Sequence, residues 1–386
     1  MTGAPRSAGS ADGWLPPLRD ELRGIEPYGA PQLDVPVQLN VNENPYPPSD
    51  AVIADVAAAV AGAARSLNRY PDREFTALRE ALAAYLDRDG GRGTDPSQVW
   101  AANGSNEVML HLLQAFGGPG RTVLSFAPTY SMYPEYARDS HTGWVAGRRE
   151  EDFTLDAAHA VAVVKEVQPT VVLLPSPNNP TGTALPLDTV VELCAAMREV
   201  PGLVVVDEAY AEFRRAGTPS ALELIPETPN LVVTRTMSKA FAAAGLRLGY
   251  LAASREICDA LRVVRLPYHL SAVTQAAALA ALRHTGELLA RVDDLRAERD
   301  RTVDWLRGLG LTVADSDANF CLFGVLPDRS AVWRGLVGRG VLVREVGPDG
   351  WLRVSIGTPD EMAAFRDALL GVLGEVLPTP TTEGTP

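Results

Sequence analysis

The chain has 386 residues, 46% of them hydrophobic, and a formal net charge of -13. This much apolar material can bury a large core, which excludes a disordered or fibrous protein and allows one large domain plus a smaller one. The acidic balance excludes a general electrostatic affinity for nucleic acid or anionic membrane surfaces. Any anionic ligand must therefore be bound by a few local cations.

Three cysteines, Cys194, Cys258 and Cys321, are widely spaced within apolar segments, a pattern typical of buried reduced thiols rather than of disulfides or a metal site. The five histidines show no ligand spacing either, so no metal is expected. No apolar run is long enough to span a membrane, and residues 1–13 lack the apolar segment of a signal peptide. The cytoplasm is the expected compartment.

Two polar tails, residues 1–13 and 378–386, are expected to be disordered. Between them, short apolar runs alternate with longer amphipathic stretches, which predicts an α/β fold. The clearest predicted strands are residues 170–174 (TVVLL), 203–206 (LVVV) and 231–234 (LVVT). They are apolar on both faces and rich in β-branched residues, which favours a mostly parallel sheet covered by helices such as residues 185–200.

A long amphipathic pattern at residues 287–307, ended by Gly308 and Gly310, predicts a helix that leads to a smaller α+β domain. Residues 358–361 (TPDE) form a capping box with proline at the first helical position. The elements predicted in this domain are strand 318–325, helix 330–338, strands 341–345 and 352–356, and a helix from Pro359. The expected domains are an N-terminal arm (14–45), a large domain (46–285) and a small domain (286–377).

Polar residues cluster where the three predicted strands end, at the edge where open α/β sheets bind ligands. They are Asn178, Asn179, Asp207, Thr236, Ser238 and Lys239. A lysine condenses with an aldehyde only when its amine is neutral, so Lys239 must have a pKa lowered by burial or by nearby cations. Asp207 follows four apolar residues and needs a cationic partner there. A protonated pyridine nitrogen would be such a partner.

Taken alone, Asp207 and Glu208 after a strand could equally be metal ligands of a nucleotide hydrolase. That function requires a glycine-rich phosphate loop with a lysine, and the sequence has no G-x-x-x-x-G-K-[ST] motif. A different phosphate site is predicted at residues 103–107 (NGSNE), which precede a helical pattern over 108–116 and also fit an ordinary N-cap. Arg247 could bind the same phosphate through two hydrogen bonds.

Three motifs resemble those of the fold-type I aminotransferases, which use pyridoxal 5'-phosphate, and more narrowly those of the histidinol-phosphate aminotransferases. They are residues 176–182 (SPNNPTG), 206–210 (VDEAY) and 234–249 (TRTMSKAFAAAGLRLG). The resemblance covers the chain except its two tails. Further matches lie at residues 27–29 (PYG), 39–45 (LNVNENP), 69–71 (RYP), 128–130 (PTY) and 352–353 (LR).

The resemblance implies a role for each matching residue. Lys239 would hold the cofactor as a Schiff base and later shuttle a proton, while Asp207 would pair with the pyridine nitrogen. Tyr210 and Asn179 would bind the phenolic oxygen of the cofactor, and Tyr130 would stack on its ring. The implied phosphate ligands are Ser105, Asn106, Thr236, Ser238 and Arg247.

The resemblance also implies a homodimer, because a tyrosine matching Tyr70 reaches the phosphate in the neighbouring subunit. Arg353 matches the arginine that binds the α-carboxylate of glutamate, and Arg344 matches a second arginine near the substrate anion, where Tyr28 would add a donor. Tyr28 and Tyr70 equally fit core aromatic residues, and Arg344 equally fits a solvated surface arginine.

The reaction expected from this resemblance converts L-histidinol phosphate and 2-oxoglutarate to imidazole-acetol phosphate and glutamate. An aromatic amino-acid aminotransferase on the same scaffold is the first alternative. A threonine-phosphate decarboxylase and a non-catalytic regulator that binds the cofactor are the others.

Overall fold

The computed structural model describes residues 16–376, and the two predicted tails lie outside them. The chain divides into two compact units, with the boundary between Pro31 and Gln32. In the first unit, the described residues contain one short 3-10 helix, Asp20–Leu22, where Arg23 Nε donates to Asp20 at 3.0 Å. All the elements that build the candidate site belong to the second unit. None of the described helices combines the length and the apolar character needed to cross a membrane.

The helices of the second unit follow the amphipathic patterns of the sequence. Within the described residues the α-helices are α1 (Asp50–Ala64), α2 (Thr76–Arg88), α3 (Ser105–Phe116), α4 (Tyr133–Asp139), α5 (Ala157–Val167), α6 (Leu187–Glu199), α7 (Arg255–Val264), α8 (Ala272–Arg283), α9 (Thr285–Gly308), α10 (Arg329–Gly338) and α11 (Pro359–Val376). Short 3-10 helices lie at Pro96–Gln98, Ala211–Phe213, Ala221–Glu227 and Ala244–Leu246. Several helices begin after a residue whose side-chain oxygen accepts a backbone N–H of the first turn, as Ser49, Asp156 and Ser254 do.

The strands form three sheets. They are β1 (Val37–Gln38), β2 (Val99–Ala102), β3 (Thr122–Ala127), β4 (Gly143–Arg148), β5 (Val171–Pro175), β6 (Leu203–Asp207), β7 (Leu231–Thr236), β8 (Gly249–Ala253), β9 (Thr312–Val313), β10 (Phe320–Gly324), β11 (Val341–Leu342), β12 (Arg344–Glu345) and β13 (Leu352–Ser355). The largest sheet has the order β2-β8-β7-β6-β5-β3-β4, and only β8 pairs antiparallel to its neighbours. This confirms the predicted α/β fold with a mostly parallel sheet.

The three predicted central strands are confirmed as β5, β6 and β7, adjacent in the sheet and parallel. Every residue of β5 and β7 is buried, which explains why both faces of these strands are apolar in sequence. The predicted crossover helix is α6. Because β6 and β7 extend beyond the apolar runs, Asp207 and Thr236 are the last residues of these strands rather than the first residues of loops.

Three predictions about helices are confirmed, one near the site and two in the C-terminal part. The helix after Gly104 begins at Ser105, three residues before the apolar pattern does, because polar residues form its first turn. The long helix predicted at residues 287–307 is α9. The capping box at the start of α11 is present: Thr358 N donates to Glu361 Oε2 at 2.7 Å, and Glu361 N donates to Thr358 Oγ1 at 3.3 Å.

The prediction of one strand over residues 341–345 was wrong, because this segment forms two strands in different sheets. β11 pairs in parallel with β1, whereas β12 joins the four-stranded sheet β12-β13-β10-β9. The break falls at Val343, whose carbonyl accepts a hydrogen bond from Trp333 Nε1 at 2.8 Å. The split ties residues 37–38 to the C-terminal part of the chain, and residues 39–45 continue from there toward the large sheet. The boundary expected between the large and small domains at residue 285 stays a prediction.

Candidate active site

The carboxyl ends of β5, β6 and β7 bring the predicted polar residues to one edge of the large sheet. Pro175 pairs with Asp207, and Asp207 pairs with Thr234, so the ends of the three strands lie side by side. Asn179 follows β5 by four residues, and Lys239 follows β7 by three. The site is therefore assembled from three loops that leave adjacent strands at the same edge, as expected for ligand sites in open α/β sheets.

Lys239 is one of only two lysines in the chain, the other being Lys165. Its Nζ donates to the carbonyl oxygen of Val41 at 3.0 Å. Burial is the main cause that lowers the pKa of Lys239 to about 8, and the positive charge of Arg353 adds to the effect. At pH 8 about half of the Lys239 amines are thus neutral and nucleophilic, which the chemistry of an aldehyde requires.

Asp207 is a buried carboxylate whose hydrogen bonds come from hydroxyl groups. Tyr133 Oη donates to Oδ2 at 3.1 Å, and Thr234 Oγ1 donates to Oδ1 at 3.0 Å. Burial raises the pKa of Asp207, and these two hydroxyls oppose the shift. Among residues 16–376, none forms an ion pair with Asp207, so a protonated ring nitrogen is the kind of partner that this carboxylate lacks.

Glu208, the neighbour of Asp207, has a structural environment. Its carboxylate accepts from the Ser220 hydroxyl at 2.7 Å and from Ala221 N at 2.8 Å, and it pairs with the fully buried Arg235 at 2.6 Å. Arg235 also pairs with Glu212 at 3.2 Å. Glu208 is thus held within a buried ion-pair network and shares no partner with Asp207, which argues against a two-carboxylate metal site of the hydrolase type.

Tyr210 is the centre of a closed set of hydrogen bonds. Its hydroxyl oxygen accepts from Asn42 Nδ2 at 3.0 Å and from Asn179 Nδ2 at 3.4 Å. Arg353 Nη1 donates to Asn179 Oδ1 at 2.5 Å, and Ser355 Oγ donates to Asn42 Oδ1 at 2.9 Å. Since Arg353 and Ser355 both belong to β13, each amide connects this strand to the tyrosine.

The predicted phosphate residues surround the first turn of α3. A Cβ on Gly104 would lie 2.6 Å from Arg247 Nη2, and a Cβ on Gly249 would lie 2.1 Å from Ser105 N, so only glycine fits at either position. Arg247 Nη1 donates to Ser238 Oγ at 3.4 Å. The guanidinium, the Ser238 hydroxyl and the backbone N–H groups of Ser105 and Asn106 thus lie near one another, and a helix N-terminus with an arginine favours an anion.

Thr236 and Tyr130 are also close to residues of the candidate site. Thr236 Oγ1 donates to Ser238 Oγ at 2.9 Å. The ring of Tyr130 packs edge-to-face on that of Tyr133 with centroids 5.5 Å apart, and Tyr133 is the hydroxyl donor to Asp207. Tyr130 is therefore linked to the Asp207 carboxylate through Tyr133.

The remaining predicted residues are Tyr70, Tyr28 and Arg344. Tyr70 is 80% exposed and stacks on Tyr268 with centroids 4.4 Å apart. Tyr28 belongs to the first unit and is 48% exposed, so the alternative of a core aromatic is wrong for both tyrosines. Arg344 is partly buried on β12, where it pairs directly with Arg353 across the strands.

The residues at this edge fit pyridoxal 5'-phosphate. An amine with a lowered pKa suits the aldehyde, a buried carboxylate without an ion-pair partner among the described residues suits a protonated ring nitrogen, and a hydroxyl bound by two amides suits a phenolic oxygen. The backbone N–H groups at the start of α3, close to Arg247, suit a phosphate. Each polar group of the cofactor thus has a complementary group in the site.

Sequence reasoning missed three side chains that bind the predicted ones: Asn42, Tyr133 and Thr234. Asn42 lies in the motif at residues 39–45 (LNVNENP), but the motif did not indicate a role for it. Its φ of 56° is a left-handed conformation, which asparagine tolerates. Tyr133 is the first residue of a short helix and lies three positions after Tyr130, and nothing in this local pattern indicates a contact with Asp207. Thr234 ends the apolar run of β7 and reads as an ordinary strand residue.

Comparisons with known proteins give the same family throughout. The model of the family "Aminotransferase class I and II" matches residues 35–369. The chain is 64% identical over 358 residues to a histidinol-phosphate aminotransferase of Thermobifida fusca, covering 93% of this chain and 96% of the relative. It is 57% identical over 372 residues to that of Bifidobacterium longum, covering 92% of this chain and 96% of the relative.

Two solved structures have the same fold. The histidinol-phosphate aminotransferase of Sinorhizobium meliloti in complex with pyridoxal-5'-phosphate has a TM-score of 0.77 at 26% identity, covering 88% of this chain and 91% of that one. A tetra mutant of Thermus thermophilus aspartate aminotransferase has a TM-score of 0.78 at 25% identity, covering 94% and 100%. The chain therefore belongs to the class I and II aminotransferase family and is a pyridoxal-phosphate-dependent aminotransferase.

Proposed function

We propose that the enzyme transfers an amino group between L-histidinol phosphate and 2-oxoglutarate, giving imidazole-acetol phosphate and glutamate, in histidine biosynthesis. Relatives that are 57–64% identical over more than nine-tenths of the chain carry the name of this activity. Similarity of fold alone does not choose the substrate, because an aspartate aminotransferase and a histidinol-phosphate aminotransferase match almost equally well. The structural support comes from two arginines on β12 and β13.

The direct pairing of Arg344 with Arg353 is the observation that carries this proposal. Residues directly opposite each other in an antiparallel pair project from the same face of the sheet, and like charges in that position repel. A phosphate monoester carries nearly two negative charges at neutral pH, and two arginines can share its oxygens. The α-carboxylate of glutamate has a single charge, for which Arg353 alone suffices.

Arg353 occupies the position proposed for carboxylate binding. Its side chain is buried, donates to Asn179 Oδ1 and to Asn40 O, and lies over the ring of Phe320 at 5.1 Å from the centroid. Its guanidinium also contributes to the lowered pKa of Lys239, so the two groups are near each other. Arg353 thus holds a substrate carboxylate close to the lysine, and Arg344 and Tyr28 are proposed to add donors for the phosphate of the other substrate.

When bound, the cofactor supplies an aldehyde for condensation with amines and a protonated pyridine ring that accepts electron density from the substrate Cα. Lys239 would hold the cofactor covalently. Its amine, whose pKa is lowered to about 8, would also be the group that accepts and returns the proton of the substrate Cα. Asp207 holds the proton on the ring nitrogen, and Tyr210 with Asn179 binds the phenolic oxygen.

Phosphate binding is proposed for Arg247, the hydroxyls of Thr236 and Ser238, and the backbone N–H groups of Ser105 and Asn106. Arg247 and the positive end of α3 would stabilise the negative charge of a phosphate there. Tyr130 is proposed to cover one face of the ring. These contacts orient the cofactor so that its aldehyde faces Lys239.

A homodimer is proposed, with Tyr70 reaching the phosphate in the partner subunit. The surface near Tyr70 carries large exposed apolar side chains, among them Leu67 (58% exposed) and Leu266 (75% exposed), and Tyr70 stacks on Tyr268 there. Helix α1 adds Ile53, which is 51% exposed. An apolar surface of this kind is typical of a protein–protein interface, and a second copy of the chain would cover it.

The cytoplasm is the proposed compartment. Cys194, Cys258 and Cys321 are free and buried, and burial raises the pKa of each thiol to about 12. Thiols in that state are poor nucleophiles and stay reduced where the surroundings are reducing.

Steady-state kinetics on a panel of donors would test the proposed substrate. With 2-oxoglutarate as acceptor, kcat/KM for histidinol phosphate is expected to exceed that for phenylalanine or tyrosine by at least ~10-fold, because only the phosphate engages both arginines. A higher value for an aromatic amino acid would replace the proposal with an aromatic aminotransferase. Release of CO₂ from threonine phosphate would instead indicate a decarboxylase, and cofactor binding without turnover of any donor would indicate a regulator.

Borohydride reduction of the holoenzyme would test the role of Lys239. Because the chain has only two lysines, the pyridoxyl group should appear on the peptide that contains Lys239 and not on the one that contains Lys165. The Lys239→Ala variant should show no label and should lose the aldimine absorption band. Labelling of Lys165 in the wild-type enzyme would contradict the assignment.

A further inference from the structure

Each carboxylate oxygen of Asp207 accepts a hydrogen bond from one hydroxyl group. The Tyr133 hydroxyl donates to Oδ2, and the Thr234 hydroxyl donates to Oδ1. Both donors are fully buried, so no solvent molecule replaces them easily. Thr234, on β7, pairs with Asp207 of β6 in the sheet. Tyr133 is the first residue of helix α4.

Hydroxyl donors stabilise the ionised form of a carboxylate and fix its orientation. This matters for Asp207, since burial raises its pKa and no described residue provides an opposite charge. The two hydroxyls and the backbone N–H of Ala209 are the groups that oppose the effect of burial. Removing one of them leaves the carboxylate more basic, and a more basic carboxylate draws a proton away from a neighbouring pyridinium.

Arg149 is a buried arginine that interacts electrostatically with Tyr133. Arg149 is 7% exposed, donates to Phe126 O and to Phe153 O, both at 3.2 Å, and pairs with no carboxylate among the described residues. Burial lowers its pKa to about 10, and the interaction with Tyr133 opposes that shift. Arg149 is thus a buried cation beside the proposed donor, and the role of Tyr133 rests on its hydrogen bond to Asp207.

We propose that Tyr133 is a positioning residue that keeps Asp207 ionised and directed at the ring nitrogen of the cofactor. The inference rests on the proposed role of Asp207 and extends it to a side chain that does not itself contact the cofactor. Tyr133 acts through one hydrogen bond, to Oδ2, while its ring supports Tyr130. Replacement by phenylalanine removes the first function and keeps the second.

The test compares the Tyr133→Phe holoenzyme with the wild type after reconstitution with ¹⁵N-labelled pyridoxal phosphate. The ring ¹⁵N signal is expected to move toward that of unprotonated pyridine, and kcat is expected to fall by ~10-fold with KM changed less than ~2-fold, as for loss of one hydrogen bond to a charged group. A wild-type ¹⁵N signal in Tyr133→Phe would overturn the proposal, whatever the change in kcat. A purely structural role would lower thermal stability and leave the ¹⁵N signal unmoved.

Tyr250→Phe is the matched control. Its hydroxyl is also fully buried, but no described residue forms a hydrogen bond with it. This variant is expected to keep the wild-type ¹⁵N signal and kcat. A shift of the signal in Tyr250→Phe as large as in Tyr133→Phe would show that loss of any buried hydroxyl has the effect, and would overturn the specific role of Tyr133.

A double-mutant cycle separates this inference from the role proposed for Asp207. In an Asp207→Asn background, Tyr133→Phe is expected to cause no further loss of kcat, because its effect passes through the carboxylate. If Asp207→Asn itself left the ¹⁵N signal unmoved, the proposed role of Asp207 would fail. If only Tyr133→Phe left it unmoved, the inference alone would fail. Should Tyr133→Phe not fold, Thr234→Val removes the other hydroxyl and is expected to move the signal in the same direction.

Discussion

Asn42 donates its side-chain amide to the hydroxyl of Tyr210 at 3.0 Å, although 168 positions separate the two residues. Ser355 holds the asparagine from both sides, since its Oγ accepts from Asn42 N at 2.8 Å and donates to Asn42 Oδ1 at 2.9 Å. Two residues before it on the same face of β13 is Arg353, which reaches the same tyrosine through Asn179. The strand proposed to bind the substrate anion is thus connected to Tyr210 by two routes.

Loss of the Asn42 amide is expected to slow catalysis without preventing folding. In Asn42→Ala, Tyr210 loses one neutral hydrogen bond, so kcat should fall by ~5-fold, the equivalent of about 1 kcal/mol. Ser355→Ala removes the two hydrogen bonds that hold Asn42 and should also lower kcat. Kinetics at saturating histidinol phosphate and 2-oxoglutarate would measure both effects.

Asn42→Gly is the control for backbone strain, because glycine adopts the φ of 56° at this position without cost. If the amide is the important group, the glycine variant should lose as much activity as the alanine variant. Wild-type activity in Asn42→Gly would show that the conformation, and not the hydrogen bond to Tyr210, is what matters.

The lowered pKa of Lys239 predicts a pH-dependent stability of the apoprotein. At low pH the folded state must hold a buried ammonium, and the difference between about 8 and the ordinary value of 10.5 corresponds to about 3 kcal/mol. This cost is fully present below pH 8, shrinks as the pH rises, and is absent above pH 10.5. Lys239→Met should therefore stabilise the apoprotein at pH 7 relative to wild type, and the gain should decrease between pH 8 and 10.5.

Urea unfolding of the two apoproteins across this pH range would measure the difference. Lys165→Met is the matched control, because Lys165 is an exposed residue whose ammonium lies 3.6 Å from Glu199. Its substitution should change stability little and independently of pH. A constant difference between wild type and Lys239→Met from pH 7 to 10.5 would contradict the lowered pKa.

The parts of the site that sequence predicted are those encoded in short segments. The runs TVVLL, LVVV and LVVT are apolar on both faces and identify β5, β6 and β7, and the polar residues that follow them had to meet at one edge. Lys239, Ser238 and Arg247 lie within one such segment, and local chain geometry brings them close. The resemblance to a known family supplied the roles of these residues, which the pattern of polar and apolar residues does not contain.

Contacts between distant segments could not be predicted in the same way. No periodicity connects Asn42 with Tyr210, because the approach depends on β1 pairing with β11 and on the position of Ser355. The segment at residues 341–345 (VLVRE) gave no sign that pairing changes at Val343, because the partner strands come from distant parts of the chain. The hydrogen bond from the Tyr133 hydroxyl to Asp207 could not be predicted either, because it depends on the packing of α4 against the sheet.

Arg344 is expected to determine preference for a phosphorylated substrate. In Arg344→Gln, kcat/KM for histidinol phosphate should fall by ~10- to 100-fold, the range for loss of a charge-assisted hydrogen bond, whereas that for phenylalanine should change less than ~3-fold. Kinetics with both donors at constant 2-oxoglutarate would measure the change in preference. Arg339→Gln is the control, because Arg339 pairs with Glu375 at 2.5 Å on the surface of the same region. An equal loss for both donors in Arg344→Gln would assign the arginine to general anion binding or to folding.

Tyr70 is expected to act across the subunit boundary, which a mixture of two inactive variants can reveal. Lys239→Ala retains Tyr70, and Tyr70→Ala retains Lys239, so a mixed dimer contains one site with both residues. If subunits reassort at random, half of the dimers are mixed and one site in two is complete in each, so activity should recover to about one quarter of wild type. Coexpression followed by specific-activity measurement would test this. If Tyr70 served its own subunit, no mixed dimer would contain a complete site, and the mixture would remain as inactive as its components.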